Sequence, residues 1–352
     1  MQNEQTKSEK FLNENCKNEK AQEIAAEKHA RTKSLTALIS AFARAYHYEN
    51  SQNPVFCDFA AKKLFTAEEY EQIKGLLLDG SNYYIAAENA ADMTEKQKLD
   101  LIVDYYLSPN PLCRAKWAER ALKIAMRSGV KNYVILGAGF DTFAQRNPDF
   151  LKRAKIFEAD HPLMQKNKIE RLIRAGYLQA DEVRYISENV MAAGNLRFAG
   201  ADFSIGNLMQ KLISAGLSDK RERLGEKTFF SWLGVTYYLD KEQIEKTLAQ
   251  ISELCAAGDS VAFDYPCEGF FNASETRVQK TIETAAASGE PMKSCFGYSE
   301  LEKMLENHGF LIYELLTPED IFRDIIKASG SDMNAFEHVN YCLAVKKHNY
   351  LL

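Results

Sequence analysis

The chain has 352 residues, of which 46% are hydrophobic and 26% charged, so it carries enough apolar side chains for a large buried core. Its formal net charge is −5, and no Lys/Arg-rich segment forms the basic stripe typical of nucleic-acid or anionic-membrane binding, which disfavours both partners. The first ten residues lack the apolar core of a signal peptide, and no uncharged apolar run approaches the roughly 18 residues of a membrane helix, so we expect a cytoplasmic protein.

Cysteine and histidine are scattered along the chain. The seven cysteines form no CxxC pair, and the six histidines form no HExxH motif. We therefore expect neither a disulfide framework nor a bound metal.

The first part of the chain has a helical pattern. Residues 1–30 are rich in Glu, Lys, Asn and Gln, which predicts a flexible N-terminal arm. From Leu35 onward apolar residues recur at helical spacing, and further helical patterns follow at 67–79, 95–107 and 112–128. Residues 31–129 are thus predicted to form a helical front section.

After Gly129 short runs of Val, Ile, Phe and Tyr alternate with helix-length segments. Seven strands are predicted, near 131–136, 154–159, 183–187, 228–233, 259–264, 310–316 and 340–346. The intervening helices are predicted near 162–175, 206–215, 241–256 and 298–308, with an inserted helix in "PEDIFRDIIKA". This alternation predicts an α/β domain over residues 130–352, with a mostly parallel sheet covered on both faces.

The stretch "VILGAGFDT" places a glycine turn at the end of the first predicted strand, where open α/β sheets bind their ligands. Gly137 and Gly139 have no Cβ, so the backbone can bend sharply there and approach a ligand closely. Two glycines alone are weak evidence, because such a pair can also mark a simple tight turn.

The next predicted strand, "KIFEADHP", strengthens the ligand interpretation. It ends in Glu158 and Asp160, about twenty residues after the glycines, where a carboxylate can accept hydrogen bonds from ribose hydroxyls. The third glycine of a dinucleotide fingerprint is absent. Asp141, close to the turn, would repel a pyrophosphate but tolerate a sulfonium cation bearing an α-amino group, which favours S-adenosylmethionine over NAD.

Two further segments carry candidate ligand contacts. In "FAGADF", Asp202 can accept from the adenine amine while Phe203 covers a ring face; the alternative is that Asp202 caps a helix starting near Ser204. In "TFFSWLGVTYYL", Trp232, Tyr237 and Tyr238 either line a methyl-transfer pocket or belong to the core.

Together these segments resemble the leucine carboxyl methyltransferase family in its bacterial branch, which is similar to polyketide O-methyltransferases. The resemblance covers the chain from about Lys33 to the end. Its motifs, in family order, are "SLTALISAFARAYHYENSQNPVFCDFAAKKL", "PLCRAKWAER", "VILGAGFDT", "FEADHP", "ADF" and "GVTYYL".

The resemblance implies a class I methyltransferase fold, Rossmann-like, with a helical cap over S-adenosylmethionine formed by residues 31–129. Carried over by position, Arg114 and Lys33 would bind the methionine carboxylate of the cofactor. Gly137 and Gly139 would hold its methionine part.

The same resemblance assigns the nucleoside contacts. Asp160 would hold the ribose, with Glu158 as the alternative, and Asp202 with Phe203 would contact the adenine.

The chain departs from the family pattern at two places. Leu233 precedes Gly234 where many relatives have a glutamate, so a contact made by that acid is absent. Phe143 follows Asp141 and Thr142 where an arginine is common, with Arg146 as a candidate substitute. Both departures leave the substrate class open.

No catalytic residue is assigned. A carboxylate acceptor needs no general base, whereas a phenol or alcohol needs one, and His161, Tyr237, Tyr238 and Asp264 lie near predicted strand ends. The favoured explanation of each is structural, a helix cap for His161 and Asp264 and core packing for the two tyrosines. In the front section, Arg44, Tyr46 and His47 either face the pocket or are solvated.

Three functions remain in competition. The first is an S-adenosylmethionine-dependent O-methyltransferase acting on a carboxylate or hydroxyl of a small molecule. The second is an NAD(P)-dependent oxidoreductase, and the third a non-catalytic protein that keeps the methyltransferase fold for binding. The sequence does not predict an oligomeric state.

Overall fold

A computed structural model describes residues 35–203, 206–223 and 225–348 of the chain. The predicted arm over residues 1–30 and the candidate ligand Lys33 lie outside these ranges.

The front section is helical, as predicted. Its helices are α1 (35–50), α2 (Ala67–Asp79), α3 (Ser81–Tyr84), α4 (Ala87–Ala90), α5 (Glu95–Leu101), which continues as a π-helix over Ile102–Leu107, and α6 (Pro109–Met126), with a 3₁₀ turn at Ala61–Leu64. Local chemistry sets several starts, since Thr66 and Glu69 form a capping box on α2. Helix α6 begins at Pro109, whose missing N–H costs nothing in the first turn.

Within the described ranges, nine strands form one sheet, in the order β3-β4-β5-β2-β1-β6-β7-β9-β8. Their bounds are β1 (Val130–Leu136), β2 (Lys155–Asp160), β3 (Arg184–Ser187), β4 (Val190–Ala193), β5 (Leu196–Gly200), β6 (Lys227–Trp232), β7 (Ser260–Pro266), β8 (Phe310–Leu316) and β9 (Val339–Lys346). The five central strands, from β5 to β7, are parallel, and the pairs at both edges are antiparallel.

The prediction of seven strands is wrong because it lacks β4 and β5. Their sequence, "VMAAGNLRFAG", is rich in Ala and Gly, which have low strand propensity, so the pattern did not stand out. The predicted strand at 183–187 exists as β3, but it is an exposed edge strand and not the parallel neighbour of β2. That neighbour is β5, with Ile156 opposite Leu196.

Helices cover both faces of the sheet. After β1 come α7 (Phe143–Arg146), α8 (Pro148–Leu151), α9 (Pro162–Arg174), α10 (Leu208–Ser214), α11 (Lys241–Leu254), α12 (Thr276–Ala287), α13 (Tyr298–Asn307) and α14 (Pro318–Ile321), the last continuing as a π-helix over Phe322–Ile326 and a 3₁₀ turn over Lys327–Ser329. Alternate side chains of β2 enter opposite cores: Ile156 joins a core that includes Phe42 and Trp117 of the front section, and Phe157 joins one with Leu212.

This arrangement brings the carboxyl ends of β5, β2, β1, β6 and β7 together at one edge of the sheet. Helix α6 lies against β1, β6 and β7 and reaches that edge with its first turns. Over the described ranges, no helix is long and apolar enough to cross a membrane.

Candidate functional site

The glycine turn after β1 has a backbone shape that only glycine accommodates without strain. Gly137 and Gly139 have φ angles of 67° and 43°. A Cβ on Gly137 would lie 2.3 Å from Cγ2 of Val235, in the turn after β6, and the Gly137 N–H donates to the Ala159 carbonyl at 2.8 Å. The turn is therefore fixed between the ends of two neighbouring strands.

Asp160, at the end of β2, adjoins this turn. One carboxylate oxygen accepts from the Gly139 N–H at 2.6 Å and the other from the His161 N–H at 2.6 Å. These two hydrogen bonds fix the orientation of the carboxylate at the end of the strand. The structure thus brings Gly137, Gly139 and Asp160 together.

Glu158, two residues earlier in β2, lies in the interior instead. Its side chain is fully buried, and Oε2 is 2.6 Å from Nζ of Lys168 on α9, which is buried as well. Burial raises the pKa of Glu158 to about 7, although Lys168 acts in the opposite direction. Glu158 therefore forms a buried ion pair beneath the strand end where Asp160 lies.

Asp202 and Phe203 follow β5 beside the end of β2, where Asp160 pairs with Gly200. Both are partly buried, and Phe203 packs against the edge of the second core. The Asp202 N–H donates to Oδ1 of Asn207 at 3.1 Å, and Asn207 occupies the N-cap position of α10. Helix α10 begins at Leu208, so Asn207 and not Asp202 is the N-cap residue of this helix, while the predicted start near Ser204 lies outside the described residues.

Arg114, on α6, lies at the ends of β6 and β7. Its Nη1 is 3.0 Å from Oδ2 of Asp264, and its side chain is 18% exposed, so a ligand can reach it. The guanidinium lies against Gly234, where a Cβ would be 2.3 to 2.6 Å from three of its atoms. Asp264 itself is fully buried and also accepts from the Tyr237 hydroxyl at 2.7 Å.

The front section contacts the glycine turn through Arg44. This arginine donates to Oδ2 of Asp58 at 2.8 Å and to the Phe140 carbonyl at 2.7 Å. Asp58 in turn accepts from the Thr142 hydroxyl at 2.6 Å, and Arg146 lies 3.4 Å from the same carboxylate. Arg44 and Arg146 are therefore partly buried partners of the turn, and Arg44 is not a solvated side chain.

His47 has a structural role in the same section. It is buried, its Nε2 accepts from the Val55 N–H at 3.1 Å, and its Nδ1 lies 2.8 Å from Oδ1 of Asp104. Tyr46 is also buried and donates to Asp100 at 2.9 Å. Trp232 is fully buried in the core beside Phe263, so it does not line a pocket.

Sequence reasoning missed Asn110 and Tyr341. The Asn110 amide donates to the Tyr237 hydroxyl at 2.7 Å and accepts from the Tyr341 hydroxyl at 2.9 Å. No local pattern marks these residues, because their partners are more than 120 positions away in the chain. Only a pairing observed in three dimensions reveals them.

No three His, Cys, Asp or Glu side chains come close enough to hold a metal ion in the ranges that the structure covers. The side chains at this edge of the sheet suit an organic ligand. They provide a cation at Arg114, a carboxylate at Asp160 and an aromatic ring at Phe203. An α/β sheet with a glycine turn and an acid at neighbouring strand ends is the arrangement of enzymes that bind a nucleoside cofactor.

Comparison with known proteins identifies the family. The family model described as leucine carboxyl methyltransferase matches residues 37–252. A Bacillus subtilis (strain 168) protein named "Putative S-adenosyl-L-methionine-dependent methyltransferase YktD" is 39% identical over 319 residues, which are 89% of this chain and 98% of that protein. The chain belongs to the leucine carboxyl methyltransferase family and is an S-adenosylmethionine-dependent methyltransferase.

Solved methyltransferase structures are also similar in fold. Magnesium protoporphyrin IX methyltransferase from Synechocystis PCC 6803, determined with bound S-adenosylhomocysteine, is 11% identical with a TM-score of 0.40, over 68% of this chain and 86% of that one. An O-methyltransferase family protein from Burkholderia thailandensis is 7% identical with a TM-score of 0.38, over 68% of this chain and 60% of that one.

Among the competing functions, these findings support an S-adenosylmethionine-dependent methyltransferase. The family resemblance and the expectation of S-adenosylmethionine as cofactor are confirmed. Neither the oxidoreductase nor the non-catalytic alternative is supported, since both the family and the curated relative are methyltransferases.

Proposed function

We propose that the protein transfers a methyl group to an oxygen of a small molecule, a carboxylate or a hydroxyl, with the carboxylate favoured. S-adenosylmethionine, when bound, supplies a methyl group activated by its sulfonium. The observation that carries the preference for a carboxylate is the state of the four candidate bases, described below.

The residues at the edge of the sheet fit this cofactor. A Cβ on Gly139 would be in ordinary van der Waals contact with Ala37 at 3.6 Å, so α1 lies directly beside the turn that would hold the methionine part. The half-buried Asp160 is the acid for the ribose hydroxyls, because Glu158 is committed to Lys168 in the interior. Asp202 and Phe203, beside it, would bind the adenine.

Arg114 is assigned to the methionine carboxylate, which needs a cation with several N–H donors. Only one described contact, from Nη1 to Asp264, occupies its guanidinium among the side chains at this edge, and 18% of the side chain is exposed. Lys33 keeps the same assignment from the family resemblance.

The front section is proposed as a cap over the cofactor, with residues 1–30 as an arm and residues 130–352 as the methyltransferase domain. The hydrogen bond from Arg44 on α1 to the Phe140 carbonyl in the glycine turn supports the role of the front section as a cap. Excluding water and holding acceptor, methyl and sulfur in line are the main requirements for this displacement. A helix fixed over the turn serves both.

The candidate bases are poorly suited to accept a proton. Burial, and the charge of Asp264, raise the pKa of Tyr237 well above its ordinary value, and burial raises that of Tyr238 to about 12. Asp264 accepts from Arg114, Gly234 and Tyr237, and His161 caps α9. A carboxylate acceptor is already nucleophilic and needs none of them.

Calorimetric titration with S-adenosylhomocysteine tests the cofactor site. Asp160→Ala is expected to weaken binding roughly thirtyfold, because a charged acceptor is worth about 2 kcal/mol. Asp149→Ala is the matched control, since Asp149 is an exposed acid paired with Lys152. Equal affinity of wild type and Asp160→Ala would remove Asp160 from the site.

A methyl-transfer screen tests the acceptor. Purified enzyme with S-adenosylmethionine is offered small carboxylic acids and phenols, and release of S-adenosylhomocysteine is measured. Turnover of carboxylic acids is expected. Turnover of phenols alone would contradict the preference drawn from the candidate bases.

A further inference from the structure

Asp264, near the end of β7, is the centre of a buried hydrogen-bond network. In the described chain, Oδ1 accepts from the Gly234 N–H at 2.7 Å, and Oδ2 accepts from Arg114 at 3.0 Å, Tyr237 at 2.7 Å and Asn110 at 3.4 Å. The side chain is fully buried. Donors on both oxygens fix the orientation of the carboxylate, and Arg114 compensates its charge.

The donors of this network are themselves held in place. The Tyr341 hydroxyl donates to Oδ1 of Asn110 at 2.9 Å, which turns the Asn110 amide nitrogen toward the Tyr237 hydroxyl. Asp264 is therefore supported from α6, β9 and the turn after β6. Such a network does not adapt readily when one member is changed.

Gly234 fixes Arg114 from a second direction. A Cβ at this position would lie 2.3 Å from Nη2, 2.6 Å from Cζ and 2.6 Å from Nη1 of Arg114. The guanidinium thus rests directly on the backbone at Gly234, while Asp264 binds it through Nη1. The first contact comes from the turn after β6, and the second comes from β7.

We propose that Asp264 is a positioning residue that holds Arg114 for the carboxylate of the cofactor. Asp264 reaches Arg114 from β7 with one carboxylate oxygen, and its other oxygen accepts from the Gly234 N–H. This inference rests on the proposed assignment of Arg114 to the cofactor carboxylate.

The role predicts a selective defect. Asp264→Asn keeps the size of the side chain but removes the charge that orients Arg114. We expect about tenfold weaker binding of S-adenosylhomocysteine, which has the carboxylate, and an unchanged affinity for 5′-methylthioadenosine, which lacks the amino-acid part. Arg114→Ala should show the same selectivity, and the double variant should lose no more than Arg114→Ala alone.

Asp259→Asn is a matched control, because Asp259 immediately precedes the same strand, β7. Asp259 is also fully buried, lies 3.0 Å from Arg223 and accepts from the Thr228 N–H at 2.8 Å, but it is at the opposite end of β7 from the site. It should lower stability and leave both affinities unchanged. Tyr237→Phe, which removes one donor to Asp264, provides a milder variant and should weaken S-adenosylhomocysteine binding alone, by a few fold.

The outcomes separate this inference from the proposed function. Failure of wild-type protein to bind S-adenosylhomocysteine would overturn the proposed cofactor site itself. If wild type binds but Arg114→Ala loses no affinity, the basis of the inference is overturned. If Arg114→Ala is selective while Asp264→Asn and Tyr237→Phe affect both nucleosides equally or neither, the positioning role of Asp264 is overturned.

Discussion

Replacing Gly137 by alanine tests how tightly the glycine turn is held against the turn after β6. The φ of 67° costs a residue with a Cβ about 1–2 kcal/mol. The new Cβ would also lie 2.3 Å from Cγ2 of Val235, and relieving an overlap of this kind typically costs about 1–3 kcal/mol. We expect Gly137→Ala to lower the free energy of unfolding by about 2–5 kcal/mol.

Two further variants separate the two contributions. Gly176 has a φ of 74° but no heavy atom within 4 Å of the Cβ position, so Gly176→Ala reports backbone strain alone. In Gly137→Ala/Val235→Ala the overlap is removed, so the double variant should be more stable than the sum of the single changes by about 1–3 kcal/mol.

Guanidinium unfolding curves of Gly137→Ala, Val235→Ala, Gly176→Ala, the double variant and wild type measure these differences. The reasoning fails if Gly137→Ala is no less stable than Gly176→Ala. It fails equally if the Gly137 and Val235 substitutions are additive. Titration of Gly137→Ala with S-adenosylhomocysteine then measures whether the change in the glycine turn also weakens binding of the ligand.

Two other predictions concern the turn and the ligand. Burial raises the pKa of Asp58, but the charges of Arg44 and Arg146 more than offset this effect, so the pKa is lowered. The ionised carboxylate therefore stabilises the fold above the unfolded-state pKa of about 4, and this stabilisation is lost as the pH falls through the folded-state pKa. Asp58→Asn should therefore lower the free energy of unfolding by about 3–5 kcal/mol at pH 7. In unfolding curves below about pH 4, the difference in this free energy between the variant and wild type should become smaller, and a constant difference would contradict the prediction. Phe203→Ala should weaken titrated adenosine and S-adenosylhomocysteine equally, by about fivefold, since it removes a ring contact to adenine, and an effect on one alone would contradict the assignment.

The sequence predicts the alternation of strands and helices, because the spacing of apolar residues over a whole segment indicates its type even where single residues do not. Helix α2 has the predicted bounds, and its Thr66 and Glu69 mark the start locally. Strands β4 and β5 are not predicted, since their Ala- and Gly-rich sequence has low strand propensity and shows no strand pattern. Asp202 is therefore predicted as a ligand contact from its motif alone, because β5, the strand that positions it, is missing from the prediction.

The candidate site was readable only where its residues share a motif. Gly137, Gly139 and Asp160 follow consecutive parallel strands, and parallel strands end at the same edge of a sheet. The pairing of Arg114 with Asp264 joins residues 150 positions apart, which no local pattern encodes. The commitment of Glu158 to Lys168 was likewise invisible, because a lysine on a helix is usually exposed.

The ring of Trp117 packs against that of Tyr341, with centroids 5.3 Å apart, in the core that also contains Phe42. During translation the front helices leave the ribosome well before β9 has been made. The apolar sides of these helices therefore stay unburied until β9 has been synthesised, and during that time they can aggregate or bind chaperones. The last strand to be synthesised completes the core that the first helices begin.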